Sequence, residues 1–272
     1  MSDMKCRVPG LKIGCTSFII PDYYVPAVRE CVKYADDISL LLLESGESGE
    51  FLPSANEVKE LAAIAADAGV SWNVHLPTDA GFLTPQSTKR YIDNIKRTIE
   101  LTQVLNPHTW VMHVVTDHVP TTVMQASLTR AQEEAILLAL DELVPLLPAP
   151  EFLALENLER HPIDFLDSIV ENSAFSRCFD IGHVWKEHWD PVPLLHQWWH
   201  KIRICHLHGI ADRDHKSLHH ISADKIDALL HPMWANDFSA MITLEVFSLS
   251  DFQQSHLAML QSYERFSSQS LR

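Results

Sequence analysis

Trp72-Asn73-Val74-His75-Leu76-Pro77 reads as a short strand that closes on a histidine and is stopped by proline. On either side of it the hydrophobic period changes. Upstream, Ser54 with Glu57 forms a capping box, and Val58, Leu61, Ala62, Ala65 and Ala66 share one face of a helix that Gly69 stops. Downstream, residues 87–105 read as a helix with Ile92, Ile95, Ile99 and Thr102 on one side. A strand between two amphipathic helices is the repeating unit of a parallel sheet.

The same unit recurs outward to both ends of the chain. Further strands are expected at 11–18, 38–43, 109–115, 151–158, 178–183, 202–207 and 241–246. Helices are expected at 21–34, 121–144, 164–171, 191–199, 222–230 and 250–266. The long 121–144 helix is closed by Pro145, Pro148 and Pro150. Eight strands alternating with eight helices in 272 residues predict a single (β/α)8 TIM barrel, an α/β fold spanning 1–272 as one domain. An open doubly wound sheet is the competing architecture. No GxGxxG follows the first strand, no GxxxxGK[ST] occurs, and no repeat or linker divides the chain.

Composition narrows the function. The formal net charge is −15, with no Lys/Arg-rich segment, whereas a protein gripping nucleic acid along its phosphates carries a basic footprint. Nucleic acid is therefore a disfavoured partner, and a small-molecule substrate is expected. No apolar run approaches the roughly 18–20 residues needed to span a bilayer. The first residues show no secretory pattern, so a cytoplasmic location without a membrane partner is expected. Cys6, Cys15, Cys31, Cys178 and Cys205 are scattered without a CxxC pair, which argues against disulfides and a thiolate zinc site. Histidine is the outlier, with 16 residues against 5 tyrosines.

Position tells more than number. In such a barrel the chemistry projects from strand C-termini. Read in order, the strand ends carry Glu44, His75, His113, Glu156, Asp180 with His183 just beyond, His206 with His208, and Glu245. A lone histidine in an apolar strand is ordinarily a hydrogen-bonded core residue. Three carboxylates that each follow an apolar run at one end of one barrel are another matter, because buried unpaired charge is costly without a compensating cation. Mixed imidazole and carboxylate donors suit Zn2+, Mn2+ or Fe2+ better than Mg2+ or Ca2+. A divalent metal, most simply Zn2+ or Mn2+, is the expected cofactor.

The loop after the seventh strand adds Asp212-Arg213-Asp214-His215-Lys216. Placed over the same mouth, Asp214 and His215 become candidate ligands, and Arg213 and Lys216 candidate phosphate contacts. Trp185 and Trp189, in the loop expected after the sixth strand, are candidates for an apolar wall against a flat ligand. His188, His196, His200 and His231 read as helix or surface residues.

The succession Glu156, Asp180, His206 and Glu245 on strands five to eight resembles the four-residue core of the xylose-isomerase-like barrel superfamily, which includes endonuclease IV and the sugar phosphate isomerases/epimerases. His75, His113 and His183 stand where endonuclease IV carries additional histidines. Its Asp-x-His pair is matched imperfectly, since Asp214 and His215 are adjacent here. Local wording is most similar to the cobamide-remodelling phosphodiesterases. The matching stretches are Val-His-Leu-Pro at 74–77, Glu-Asn-Leu-Glu at 156–159, Asp-Ile-Gly-His-Val-Trp at 180–185, His-Leu-His-Gly at 206–209, Arg-Asp-His-Lys-Ser-Leu at 213–218 and Leu-Glu-Val-Phe at 244–247.

That resemblance implies a metal-dependent hydrolase that cleaves the nucleotide-loop phosphoester of a cobamide in corrinoid salvage. It would hold roughly one to three ions on His75, His113, Glu156, Asp180, His183, His206, Asp214, His215 and Glu245. Glu156 and Glu245 would be catalytic, and Arg213, Lys216 and Trp185 would bind substrate. The alternative is a sugar or sugar-phosphate isomerase/epimerase with a single divalent metal and Glu156 and Glu245 as its acid-base pair. A third reading is a corrinoid or metal binder without turnover.

Overall fold

The computed structural model describes residues 5–116 and 124–270. Eight parallel strands close into a barrel in simple sequence order, with β1 (Lys12–Thr16) paired to both β2 (Asp37–Leu41) and β8 (Met241–Leu244). Between these lie β3 (Ser71–His75), β4 (Thr109–His113), β5 (Leu153–Glu156), β6 (Ser176–Asp180) and β7 (Ile202–Leu207). The helices α1 (Tyr24–Cys31), α2 (Ala55–Ala68), α3 (Pro85–Thr102), α4 (Arg130–Asp141), α5 (Asp167–Glu171), α6 (Ile181–Lys186), α7 (Pro191–Trp198), α8 (Ala223–Ala235) and α9 (Leu249–Ser270) connect them. The (β/α)8 barrel expected from the alternation is the fold. Among the described residues no helix is long and apolar enough to cross a membrane.

Local chemistry explains the boundaries. Ser54 Oγ accepts from the Glu57 amide at 3.3 Å while Glu57 accepts the Ser54 amide at 2.8 Å, and Gly69 ends α2 in the left-handed region at φ 63°. Equivalent boxes open α3 at Thr84 and α4 at Thr129. The latter corrects the expectation of a helix from 121. That start lies outside the described residues, and the helix begins at Arg130 because Thr129 and Gln132 cap it there. A second correction concerns the stretch after β6, expected as a loop. It forms α6, with Asp180 as N-cap accepting the His183 amide at 2.6 Å.

Two layers of packing follow from strand alternation. The large core lies between sheet and helices, filled by residues such as Leu40, Trp72, Trp110, Leu155, Phe179 and Leu244. A second, small cluster of Val111, Ala154, Cys178 and Ile204 comes from β4 to β7. Adding two residues to each gives His113, Glu156, Asp180 and His206. Side chains two apart share a face of a strand, so the ionisable residues form the next layer above this apolar plug. Asn73 on β3 and Thr243 on β8 bear the same relation to His75 and Glu245, and Asn73 Nδ2 lies 3.4 Å from Thr243 Oγ1.

Candidate metal centre

The upper layer converges on Glu156. His113 and Glu156 are register partners on β4 and β5, as are Asp180 and His206 on β6 and β7. Glu156 Oε2 stands 3.2 Å from His75 Nε2 and 3.1 Å from His113 Nε2. Its other oxygen, Oε1, lies 3.2 Å from His206 Nδ1. Glu245 follows β8 and extends the ladder through its amide to the Leu207 carbonyl at 3.1 Å, bringing Oε2 to 3.1 Å from the same His206 Nδ1. Asp180 Oδ2 lies 3.9 Å from His206 Nδ1 and 3.5 Å from His183 Nδ1.

Donor atoms of Glu156, Asp180, His206 and Glu245 all fall within 4.8 Å of one another. So do those of His75, His113 and Glu156, and those of His183, His208 and His215. Glu156, Cys178 and His206 also meet, but Cys178 belongs to the apolar plug and burial pushes its thiol well up, leaving no thiolate to donate.

Electrostatics show how the protein tolerates this density of charge without metal. Burial disfavours the charged forms throughout. His206 is nonetheless raised well above an ordinary imidazole by the neighbouring Cys178 and by the Glu245 and Glu156 carboxylates, and Glu156 and Glu245 are held low by His206 and by their other imidazoles. His183 is raised to about 9, since Asp180, Glu156 and Glu159 outweigh its desolvation. Asp180 Oδ2, Glu245 Oε2 and His206 Nε2 are buried without an aligned hydrogen-bond partner. Orphaned donors on converging carboxylates and imidazoles fit a divalent ion.

The expected residues do not all gather here. His75, His113, Glu156, Asp180, His183, His206, His215 and Glu245 do. Asp214, expected as a ligand, instead pairs with the Lys186 ammonium, which also lies 3.5 Å from Glu159. Arg213 is exposed, and Lys216 Nζ lies 3.8 Å from Asp212 while its backbone bridges Gly209. Trp185 is packed into the hydrophobic core on α6 rather than standing as an open wall. Glu44 is exposed, because β2 stops at Leu41 and the chain turns outward. His188, His196 and His200 are exposed as expected, and His231 is half-buried beside Asp227.

Three contributors carry no assignment from sequence. Asn157 clamps Asp180 at both ends of its backbone, donating Nδ2 to the Asp180 carbonyl at 2.8 Å and accepting the Asp180 amide at 2.9 Å. Glu159 Oε2 meets His183 Nε2 at 3.3 Å. His208 is fully buried beside Asp180. The first two lie in Glu-Asn-Leu-Glu and the third in His-Leu-His-Gly, so their stretches were visible although their roles were not.

The sequence pattern described as "Xylose isomerase-like TIM barrel" matches residues 30–266. A solved D-tagatose 3-epimerase-like protein superposes with a TM-score of 0.75 at 17% identity, over 96% of this chain and 100% of that one. An L-ribulose 3-epimerase does so at 0.72 and 16%, over 96% and 98%. A 3-keto-D-glucoside 4-epimerase from E. coli gives 0.64 and 14%, over 93% and 99%. At these identities the likeness is one of fold. No curated protein sequence matches the chain significantly.

Proposed function

Because the chain belongs to the xylose isomerase-like TIM barrel family, we propose that it is a divalent-metal-dependent enzyme acting on a small polar substrate, with Glu156, Asp180, His206 and Glu245 as its principal metal-binding set. The observation that carries this is their convergence within 4.8 Å in a buried layer with unsatisfied donors. A bound ion would supply Lewis acidity toward the oxygens of a substrate.

The finer reading with most support from comparison is a sugar or sugar-phosphate isomerase/epimerase. Of the solved structures named above two are epimerases and one is epimerase-like, which weighs against putting phosphodiester hydrolysis first, as the sequence reading does. In this reading Glu156 and Glu245, both within 3.2 Å of His206 Nδ1, exchange protons with substrate carbon.

A second reading, phosphodiester hydrolysis, is favoured by one specific observation. Glu156 turns its second oxygen to His75 and His113, a set that single-metal proton transfer does not need. The cobamide substrate belongs to this reading and rests on resemblance alone. Metal content separates the two. Purified protein loaded with Mn2+, Zn2+ or Co2+ would be analysed for ions per chain, then assayed on ketose and sugar-phosphate panels and on phosphodiesters including adenosylcobalamin. Isomerised sugar with one ion per chain supports the first reading. Chelator-sensitive phosphoester cleavage with more than one ion moves the second to the front. Turnover of neither class, with metal bound, would overturn the enzymatic proposal.

A further inference from the structure

We propose that the N-terminal end of the barrel, opposite the metal centre, carries a binding site for a phosphoryl group, as free phosphate or a phosphate monoester, held by Lys12 and Arg203. The inference is independent of the metal reading. A cavity of about 530 Å³ opens at this end, with Lys12, Ser71, His108, Arg203, Ser239 and Met241 in its lining. Lys12, Ser71 and Met241 are the first residues of β1, β3 and β8. His108 directly precedes β4, and Arg203 is the second residue of β7. Chemistry in this fold belongs to the other end of the strands, so no step at the metal centre accounts for these groups.

The chain carries a formal net charge of −15, yet no carboxylate lines this cavity. Two acids packed beside these strands are already engaged. Asp37 is fully buried, with Oδ1 accepting from Asn73 Nδ2 at 2.7 Å. Its Oδ2 accepts the Ser71 hydroxyl at 2.7 Å and faces His108 Nε2 at 2.8 Å. Asp36 accepts from Lys5 at 2.8 Å and from Arg7 at 2.6 Å. Among the described residues Lys12 makes no side-chain hydrogen bond or ion pair. Arg203 is held in place: its Nε donates to the His108 carbonyl at 2.7 Å, and its Cζ lies 4.0 Å from the centre of the Phe152 ring. Burial lowers its pKa and Glu151 opposes that through space, but a guanidinium stays charged. Its two terminal nitrogens have no protein partner among the described residues.

The geometry sets the class of ligand. Strand β8 lies between β1 and β7, and Met241 is in register with both Lys12 and Ile204. Neighbouring strands are about 4.8 Å apart, so β1 and β7 are about 10 Å apart, a gap that two long side chains close on one anion between them. A guanidinium fixed through Nε presents its terminal N–H groups to two oxygens, and an ammonium adds a point charge at a third. A phosphoryl group supplies the three oxygens and close to two charges, whereas a carboxylate satisfies one cation and leaves the other bare. His108 is a wall rather than a ligand, because Nδ1 meets Thr109 Oγ1 at 2.9 Å and Nε2 is taken by Asp37.

The test is calorimetric titration of the full-length protein at fixed ionic strength, as purified and again after metal removal. The probes are inorganic phosphate, glycerol 3-phosphate and acetate. Wild type should bind both phosphates saturably with or without metal, and acetate at least about 10-fold more weakly. K12M and R203M keep the stems and remove the charges, so each should lose about 10- to 100-fold in phosphate affinity. R213M and K216M, at the opposite end of the barrel, should bind phosphate as wild type does. A monoester that binds more tightly than free phosphate assigns the site to a phosphorylated metabolite, and equal binding assigns it to the phosphoryl group alone. If R203M does not fold, K12M decides, because the Lys12 side chain is exposed and makes no contact the fold depends on. No saturable binding, acetate binding as tight as phosphate, or phosphate affinity that falls in R213M or K216M and not in K12M would each overturn the proposal.

Discussion

Glu156 and His113 are opposite one another in the β4–β5 register, and their side chains meet at 3.1 Å between Oε2 and Nε2. Glu156 Oε1 points the other way, to His206 at 3.2 Å. One carboxylate therefore joins two donor sets.

Glu156→Gln should weaken both sets together. The substitution keeps the shape and removes the charge, so metal affinity should fall by at least about 100-fold, with activity lost alongside it. His113→Asn should spare the Asp180, His206 and Glu245 side. Metal analysis of both variants checks this. Equal loss in the two would mean that Glu156 does not join separable sets.

The pH response of the metal-free protein follows from His183. Its folded pKa is raised to about 9, against about 6.5 in an unfolded chain. A raised pKa means that the charged ring stabilises the fold fully below about pH 6.5 and that this contribution is lost as pH climbs through about 9. Metal needs the deprotonated ring, so affinity should rise across that same window and flatten above it. Melting temperatures of metal-free protein and titrations from pH 6 to 10 would show opposite slopes. A metal-free melting curve that rises over this range would contradict the assignment.

Gly209→Ala tests the loop over the mouth. A Cβ there would lie 2.0 Å from the Ser217 carbonyl oxygen, inside the bridge in which Gly209 and Lys216 exchange hydrogen bonds at 2.6 and 3.1 Å. Backbone must shift to admit it, at a cost of about 1–3 kcal/mol. That corresponds to about 2–4 °C per kcal/mol at a chain length near this one. Calorimetry measures it, and an unshifted melting temperature would show that the loop yields freely.

Ser54→Ala supplies the contrast. Losing the cap of α2 should cost about 1 kcal/mol, because the Glu57 amide loses its partner at 3.3 Å. The helix is on the outside of the barrel, so metal content should not change. If metal is lost as well, stability and site occupancy are coupled, and the Gly209 result must be read accordingly.

The strand-end residues were legible because a strand has a period of two and a barrel has an inside. Val111, Ala154, Cys178 and Ile204 read as apolar, and the residues two further on read as ionisable. No tertiary information is needed to see that pairing. Loop residues obey no such period. Asp214 and His215 are neighbours in sequence, yet His215 turns to the Glu245 carbonyl at 3.1 Å while Asp214 is drawn away by Lys186. Trp185 looked open because α6 was read as a loop. A six-residue helix capped by Asp180 buries it instead.

What the amino-acid order determined by itself is the eightfold alternation, the capping of α2 and the rank of His, Asp and Glu at one end of the strands. These follow from local periodicity and local hydrogen bonding. Only the closed barrel decided which of those groups share a partner. Glu156 joins His75, His113 and His206 from three other strands, at sequence separations of 81, 43 and 50 residues. The His208 ring lies beside the backbone of Gly182, where a Cβ would stand 2.1 Å from its Cε1, so the exits of β6 and β7 meet over a glycine. Contacts of that kind depend on where elements come to rest in three dimensions, and no period along the chain encodes them.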